Sequence, residues 1–273
     1  MIFLHSITAT SILDGLKHEV RSLDISADLG ISRTKIDLTD PIWNVEKMQK
    51  IANDPDSIYF IREGEIYKAA LGTDHFYKLH PTGPDTAPAL LIDGVLMHRV
   101  KDINPITDAS MKANLCARPG KDILEICTGL GYSTIACLKK GVRSITTIEI
   151  DPSVIELAKL NPWSKQLFTD ERVSIILGDA AYKIQEFDTD SFHGVLLDPP
   201  RFSMGPELYT SGFYSQIHRV LKPNGMLYHY VGSPGSKHRK IDLQKGIITR
   251  LRDVGFQQVR RDSKSFGIVA KKK

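Results

Sequence analysis

From about residue 118 onward, the 273-residue chain alternates short apolar runs with helical patterns, and this alternation restricts its fold more than any other feature. DILEIC (122–127), SITTIEI (144–150), VSIILGD (173–179), GVLLD (194–198) and GMLYHYVG (225–232) read as buried strands. Between them STIACLKK, PSVIELAKLN and LYTSGFYSQIHRVLK read as helices. Such alternation is the mark of a parallel sheet covered by helices on both faces. The final stretch, LQKGIITRLRDVGF through VRRD to SFGIVAKK, reads as helix, strand, turn and strand, an antiparallel hairpin at one edge of the sheet.

The first 117 residues follow another pattern. EVRSLDIS, ISRTKIDL, SIYFIRE, EIYKAAL, FYKLHP and ALLIDGVLMHR are strand-like pieces divided by Gly, Asp and Pro turns, and PIWNVEKMQKIAND is the one clear helix. ADLGISRTKI reads as two strands about a Leu29-Gly30 turn rather than a DNA-reading helix, because its apolar residues keep no 3.6 period. The expected organisation is a β-rich domain over 1–117 and an α/β domain over 118–273, joined near CARPGKD.

Other features exclude whole classes. No apolar run approaches the ~20 residues of a membrane span, and the start MIFLHSITATSILDG lacks a charged segment before its apolar patch, so a cytoplasmic protein without a membrane partner is expected. Cys116, Cys127 and Cys137 show no C-x-x-C spacing, which argues against structural zinc and disulfides. The net charge of +4 is mild, although positive residues gather late, in KHRK (237–240), Arg250, Arg252, Arg260, Arg261 and the final KKK. A solvated face explains them as well as a nucleic-acid contact does.

EICTGLGYST (125–134) ends the first α/β strand and opens a helix. Gly129 and Gly131 let a ligand approach the backbone, but Thr134 stands where a dinucleotide fingerprint has its third glycine, and Glu125 would repel a diphosphate. A donor with a cation and no phosphate suits these residues, and S-adenosylmethionine is such a donor. Cys127, Thr128 and Tyr132 complete this loop; Glu149, followed by Ile150, ends the second strand where a carboxylate chelates ribose hydroxyls. Gly178, Asp179 and Ala180 follow the third strand, where adenine would lie. Glu149 and Asp179 each have a competing reading as helix caps.

The last element is LLDPPRFSMG (196–205), where two prolines stiffen a loop behind a strand and leave Asp198 among acceptors with few amide donors. A competing reading has Asp198 cap a helix starting near Gly205. The order of motifs resembles the class I methyltransferases, and LDISADLGISR, ICTGLGYST, LNPWS, DPPRFS, ELYTSGFY and HYVGSPG are similar to a family of predicted archaeal methyltransferases with a DPPR motif. The resemblance implies a seven-stranded Rossmann-like sheet whose last strand is antiparallel, and S-adenosylmethionine as cofactor. In methyltransferases acting on exocyclic amines of bases, an Asp or Asn, two prolines and an aromatic stand at the end of strand four. Asp198, Pro199 and Pro200 match them; Arg201 departs, with Phe202 next. The resemblance therefore implies Asp198, Pro199 and Pro200 as catalytic, with Asp198 also against the cofactor; Arg201 and Phe202 in the loop, and Tyr230 at the end of strand five beside the same mouth, are the candidate substrate residues. Enzymes that methylate pyrimidine C5 need a downstream cysteine, and none follows residue 137.

The function expected from these residues is N-methylation of an RNA base, cytosine N4 of structured ribosomal RNA first, with RNA as partner. The alternative is aminopropyl transfer: ALLIDGVLMHR looks like the leader of spermidine synthases, which use decarboxylated S-adenosylmethionine. Against it, those enzymes carry D-S-S-D-P where this chain has DPPR. A non-catalytic RNA-binding protein with a relic pocket is the third possibility.

Overall fold

A computed structural model describes residues 1–232 and 243–273, so the KHRK run and the SPG of HYVGSPG lie outside the described residues. The chain forms two compact units: Met1–Pro105 with Ser153–Lys165, and Ile106–Pro152 with Gln166–Lys273.

The first unit is β-rich, as its alternating apolar pieces predict. Its elements run β1 (Ile2–Leu4), α1 (Ser6–Lys17), β2 (Ser22–Ile25), β3 (Thr34–Asp37), α2 (Val45–Ala52), β4 (Tyr59–Arg62), β5 (Glu65–Lys68), β6 (Ala70–Gly72), β7 (Phe76–His80), β8 (Ala89–Ile92) and β9 (Val95–Leu96). They build small antiparallel sheets in the orders β1-β4-β5, β2-β3 and β6-β7-β8-β9. ADLGISRTKI supplies the loop and the start of β3 in the β2–β3 hairpin, whose first strand lies upstream of it, with Ile25 opposite Thr34. Gly30 sits at φ +100, and a Cβ there would come within 2.4 Å of the Asp85 backbone, so only glycine fits the turn. Leu4, Ile12, Ile36, Trp43, Met48 and Ile51 are buried together as the core.

PIWNVEKMQKIAND is not alone as a helix. α1 was hidden because its buried face is made of Thr8, Ala9, Ile12 and Gly15, mostly small residues, and because its N-cap His5 offers no side-chain cap. α2, by contrast, is announced by Asn44, whose side chain accepts from the Lys47 amide at 3.1 Å.

The second unit holds α3 (Pro105–Cys116), β10 (Asp122–Ile126), α4 (Tyr132–Lys139), β11 (Ser144–Glu149), α6 (Lys165–Thr169), β12 (Val173–Leu177), α7 (Ala180–Lys183), β13 (Phe192–Leu197), α8 (Ser211–Val220), β14 (Leu221–Tyr230), α9 (Leu243–Asp253), β15 (Gln257–Asp262) and β16 (Gly267–Lys271); α5 (Pro152–Leu160) belongs to the first unit from Ser153 on, and α3 and α6 have their first residue there. The seven strands lie in the order β12-β11-β10-β13-β14-β16-β15. β10 to β14 are parallel, and β16 runs antiparallel to both of its neighbours. This is the expected α/β Rossmann-like fold with a smaller β-rich N-terminal unit. Its core is strand-borne: Leu124, Ile126, Ile148, Val195, Leu197 and Leu227 carry near-zero exposure beneath the covering helices.

Strand order reverses between β10 and β13, since β11 and β12 extend the sheet one way and β13 and β14 the other. In open sheets of this kind the crevice outside the carboxyl ends of the strands at that reversal is where ligands bind. Among the described residues no helix is long and apolar enough to cross a membrane.

Candidate active site

Glu125 is the fourth residue of β10, wholly buried beneath the turn that follows. Its Oε2 receives the hydroxyl of Thr147 at 2.7 Å and the hydroxyl of Thr134, while Oε1 has no hydrogen-bond partner among the described residues. Burial pushes this carboxyl up to about 7, against the two hydroxyls, which favour the charged form. The turn itself needs unusual backbone: Cys127, Gly129 and Gly131 all have positive φ. A Cβ on Gly129 would meet nothing within 4 Å, which leaves room above the loop; a Cβ on Gly131 would meet Leu167 at 2.6 Å. Thr128 is buried, its hydroxyl 2.6 Å from that of Thr147, and Tyr132 is buried at the start of α4. Cys127 has its thiol pushed well above the ordinary range by burial and the surrounding carboxylates, so it is no nucleophile.

Glu149 ends β11, and it holds the loops rather than capping α5. Its Oε2 accepts from the Gly129 amide at 2.9 Å, and its Oε1 from the amides of Ile150 and Asp151 at 3.0 and 3.1 Å. Asp179 does cap α7, accepting from the Ala181 amide at 2.8 Å on one oxygen. Ala180 is buried, and Gly178 joins Asp179 to the end of β12 at φ 151. Two large apolar side chains sit beside these acids in the open: Ile150 is 63% exposed and Leu177 is 52% exposed. Glu149 and Leu177 are paired across β11 and β12, so these two residues make a ledge at adjoining strand ends.

Asp198 follows the last residue of β13, its amide donating to the Ile126 carbonyl at 3.2 Å. It caps no helix near Gly205: that 3-10 turn has no side-chain cap. Asp198 Oδ2 instead takes the ammonium of Lys112 at 2.7 Å. Lys112 lies on α3 with its side chain 7% exposed, 2.9 Å from Asp108 Oδ2 and 4.4 Å from the centre of the Tyr230 ring. Burial works to lower the Lys112 pKa, but the two carboxylates outweigh it and hold the ammonium above its ordinary range. Burial also lifts Asp198 above its ordinary range, against the pull of Lys112.

Pro199 is buried and Pro200 half-buried, with the Pro200 carbonyl accepting from the Tyr209 hydroxyl at 2.8 Å. Arg201 is exposed, and Phe202 stands half out of the surface, edge-on to Tyr209 at 5.3 Å. Tyr209, Phe213 and Tyr214 do not share one helix, since the helix starts again at Ser211 with Thr210 as its cap. All three are buried. His229 packs against Tyr209 and Tyr214 in the core, and Trp163 donates its indole hydrogen to the Leu29 carbonyl within the first unit. Asp108, Lys112 and Thr147 went unread in the sequence, and Thr134 was read only as a missing glycine, not as a donor to Glu125. The pair Asp108 and Lys112 carries a signal, acid and base four apart behind a helix-opening proline.

The spermine/spermidine synthase domain model matches residues 106–259, more than half the chain and all the site residues above. The chain belongs to the spermine/spermidine synthase family. Family membership overturns the expected RNA partner and leaves RNA-base methylation without support. The chain is 48% identical over 226 residues to the uncharacterized protein MJ1233 of Methanocaldococcus jannaschii, covering 82% of this chain and 77% of that protein. It is 32% identical over 153 residues to a polyamine aminopropyltransferase of Sulfolobus acidocaldarius, covering 54% of this chain and 50% of that one. The chain thus spans about half the length of the aminopropyltransferase it matches. A spermidine synthase solved with the transition-state analogue AdoDATO superposes with a TM-score of 0.63 at 22% identity, over 75% of this chain and 73% of that one, which shows the shared fold.

Proposed function

We propose that the protein transfers an aminopropyl group from decarboxylated S-adenosylmethionine to an amine of the polyamine class. The observation that carries this is the family match across the half of the chain that holds Glu125, Glu149 and Asp198. The residues fit an adenosyl sulfonium donor. Glu149 and Asp179 supply acceptors for ribose and adenine, Ile150 and Leu177 an apolar face for the ring, Gly129 space, and the acids a negative field for the cation. Glu125, Glu149 and Asp198 are all acids while Lys112 is held by Asp108 and Asp198, which favours a donor without a carboxylate of its own.

When bound, the donor supplies an alkyl carbon activated by the adjoining sulfonium. Asp198 orients the amine, and as the nitrogen lone pair forms the new C–N bond and the C–S pair leaves to sulfur, Asp198 takes the proton the nitrogen sheds. Pro199 and Pro200 hold that acid in place, a positioning effect of the kind that aligns reactants ~3 to 3.5 Å apart. A half-buried carboxyl with a raised pKa is a stronger base than a fully solvated one.

Methyl transfer to an amine is the second reading, favoured by the DPPR loop and by the 26% identity over 143 residues to a putrescine N-methyltransferase of Nicotiana attenuata, covering 50% of this chain and 38% of that one. The by-product separates the two. Purified protein given both donors and a mixture of diamines and polyamines is expected to release methylthioadenosine and an amine longer by one aminopropyl unit. Release of S-adenosylhomocysteine with a methylated amine would replace the first reading by the second.

A further inference from the structure

Lys112 raises a question that amine alkylation alone does not answer, namely what charge the acceptor carries as it arrives. Asp198 and Asp108 form a two-carboxylate seat, and one ammonium already fills it, at 2.7 and 2.9 Å, with the Tyr230 ring against its open side. We propose, resting on the reading above, that Lys112 is the specificity-determining residue for the acceptor: its ammonium takes the cation's place at Asp198, so the attacking amine is admitted as the free base and its ammonium form is excluded.

A protonated amine brought to Asp198 would stand near the Lys112 ammonium in a buried site, where like charges repel far more than in water. The free base meets no such penalty. It donates an N–H to Asp198 Oδ1, which takes no hydrogen bond from a described residue, and keeps the lone pair that forms the new bond. Ordinary primary amines, with pKa near ~10, are nearly all charged at neutral pH. The acceptors chosen are therefore amines whose reacting nitrogen is weakly basic, such as one whose neighbouring nitrogen is already charged. The other ammonium groups of a polyamine lie away from this seat.

The test is calorimetric binding of 1,4-diaminobutane to protein saturated with methylthioadenosine, between about pH 7 and 9, for the native chain, Lys112→Gln and Lys112→Arg. The native protein and Lys112→Arg are expected to bind about tenfold more tightly per pH unit, as the free base becomes available. Lys112→Gln is expected to bind at least about tenfold more tightly than the native chain at pH 7, with a flattened profile, because an empty seat accepts the ammonium form. Should Lys112→Gln fail to fold, Lys112→Gln combined with Asp108→Asn removes one acid along with the cation and carries the same expectation. A flat native profile, or equal or weaker binding by the Gln variant at pH 7, overturns the assignment. Transfer to amines without the pH pattern sinks this inference alone, whereas absence of transfer from either donor to any amine sinks the reading of the function.

Discussion

Two buried groups in the second unit titrate in opposite directions. Glu125, pushed up to about 7 by burial, keeps a proton that the unfolded chain loses near 4.5. Its contribution is full below pH 4.5 and is lost as pH rises to about 7, at ~1.4 kcal/mol per unit. His229, wholly buried and pushed down to about 3 by burial, refuses a proton the unfolded chain takes up near 6.5. Its contribution is full above pH 6.5 and is lost as pH falls toward about 3. The slopes offset between pH 4.5 and 6.5, and melting curves should uncover each one: Glu125→Gln makes stability fall more steeply with acid, and His229→Gln makes it rise. Identical pH dependence in both variants would contradict this. The same carboxyl couples to the donor, since Glu125 must lose its proton to oppose a sulfonium. Affinity for the donor, titrated calorimetrically between about pH 5 and 7, should increase by up to about tenfold per unit and lose that dependence in Glu125→Gln.

At the scale of elements, the loop after β10 depends on Gly131 as much as on the acids. Gly131→Ala places a methyl 2.6 Å from Leu167 at a φ of +74, and should cost ~1 to 3 kcal/mol in denaturant unfolding. Gly129→Ala meets open space at φ +54, so it should lose less stability and more donor affinity. The strands around these loops were legible because a parallel sheet buries both faces and writes continuous apolar runs such as DILEI and SITTIE. α1 and α3 were not, because their buried faces use Thr, Ala, Gly, Asp and Lys in place of a large apolar stripe. The glycine turn and the acids at strand ends could be placed from spacing. Lys112 opposite Asp198 could not, since 86 residues separate them and only the packing of α3 on the sheet joins them.

For the whole molecule, the sheet order explains why acids distant in the chain gather: β10, β11, β12 and β13 each end at the same edge, carrying Glu125, Glu149, Asp179 and Asp198. The order of those acids is what the proposed sulfonium donor rests on. The acceptor was misread as RNA because a stiff Asp-Pro-Pro loop suits any amine, in a base or in a polyamine. The claim on which the account turns is that Asp198 serves the acceptor and not the donor. Replacing Asp198 by Asn and measuring turnover beside donor affinity tests it. We expect aminopropyl transfer to drop by about a hundredfold or more, the usual weight of a positioned base, with donor binding within about twofold of the native protein. Parallel loss of donor binding and turnover, or retained turnover, would contradict it.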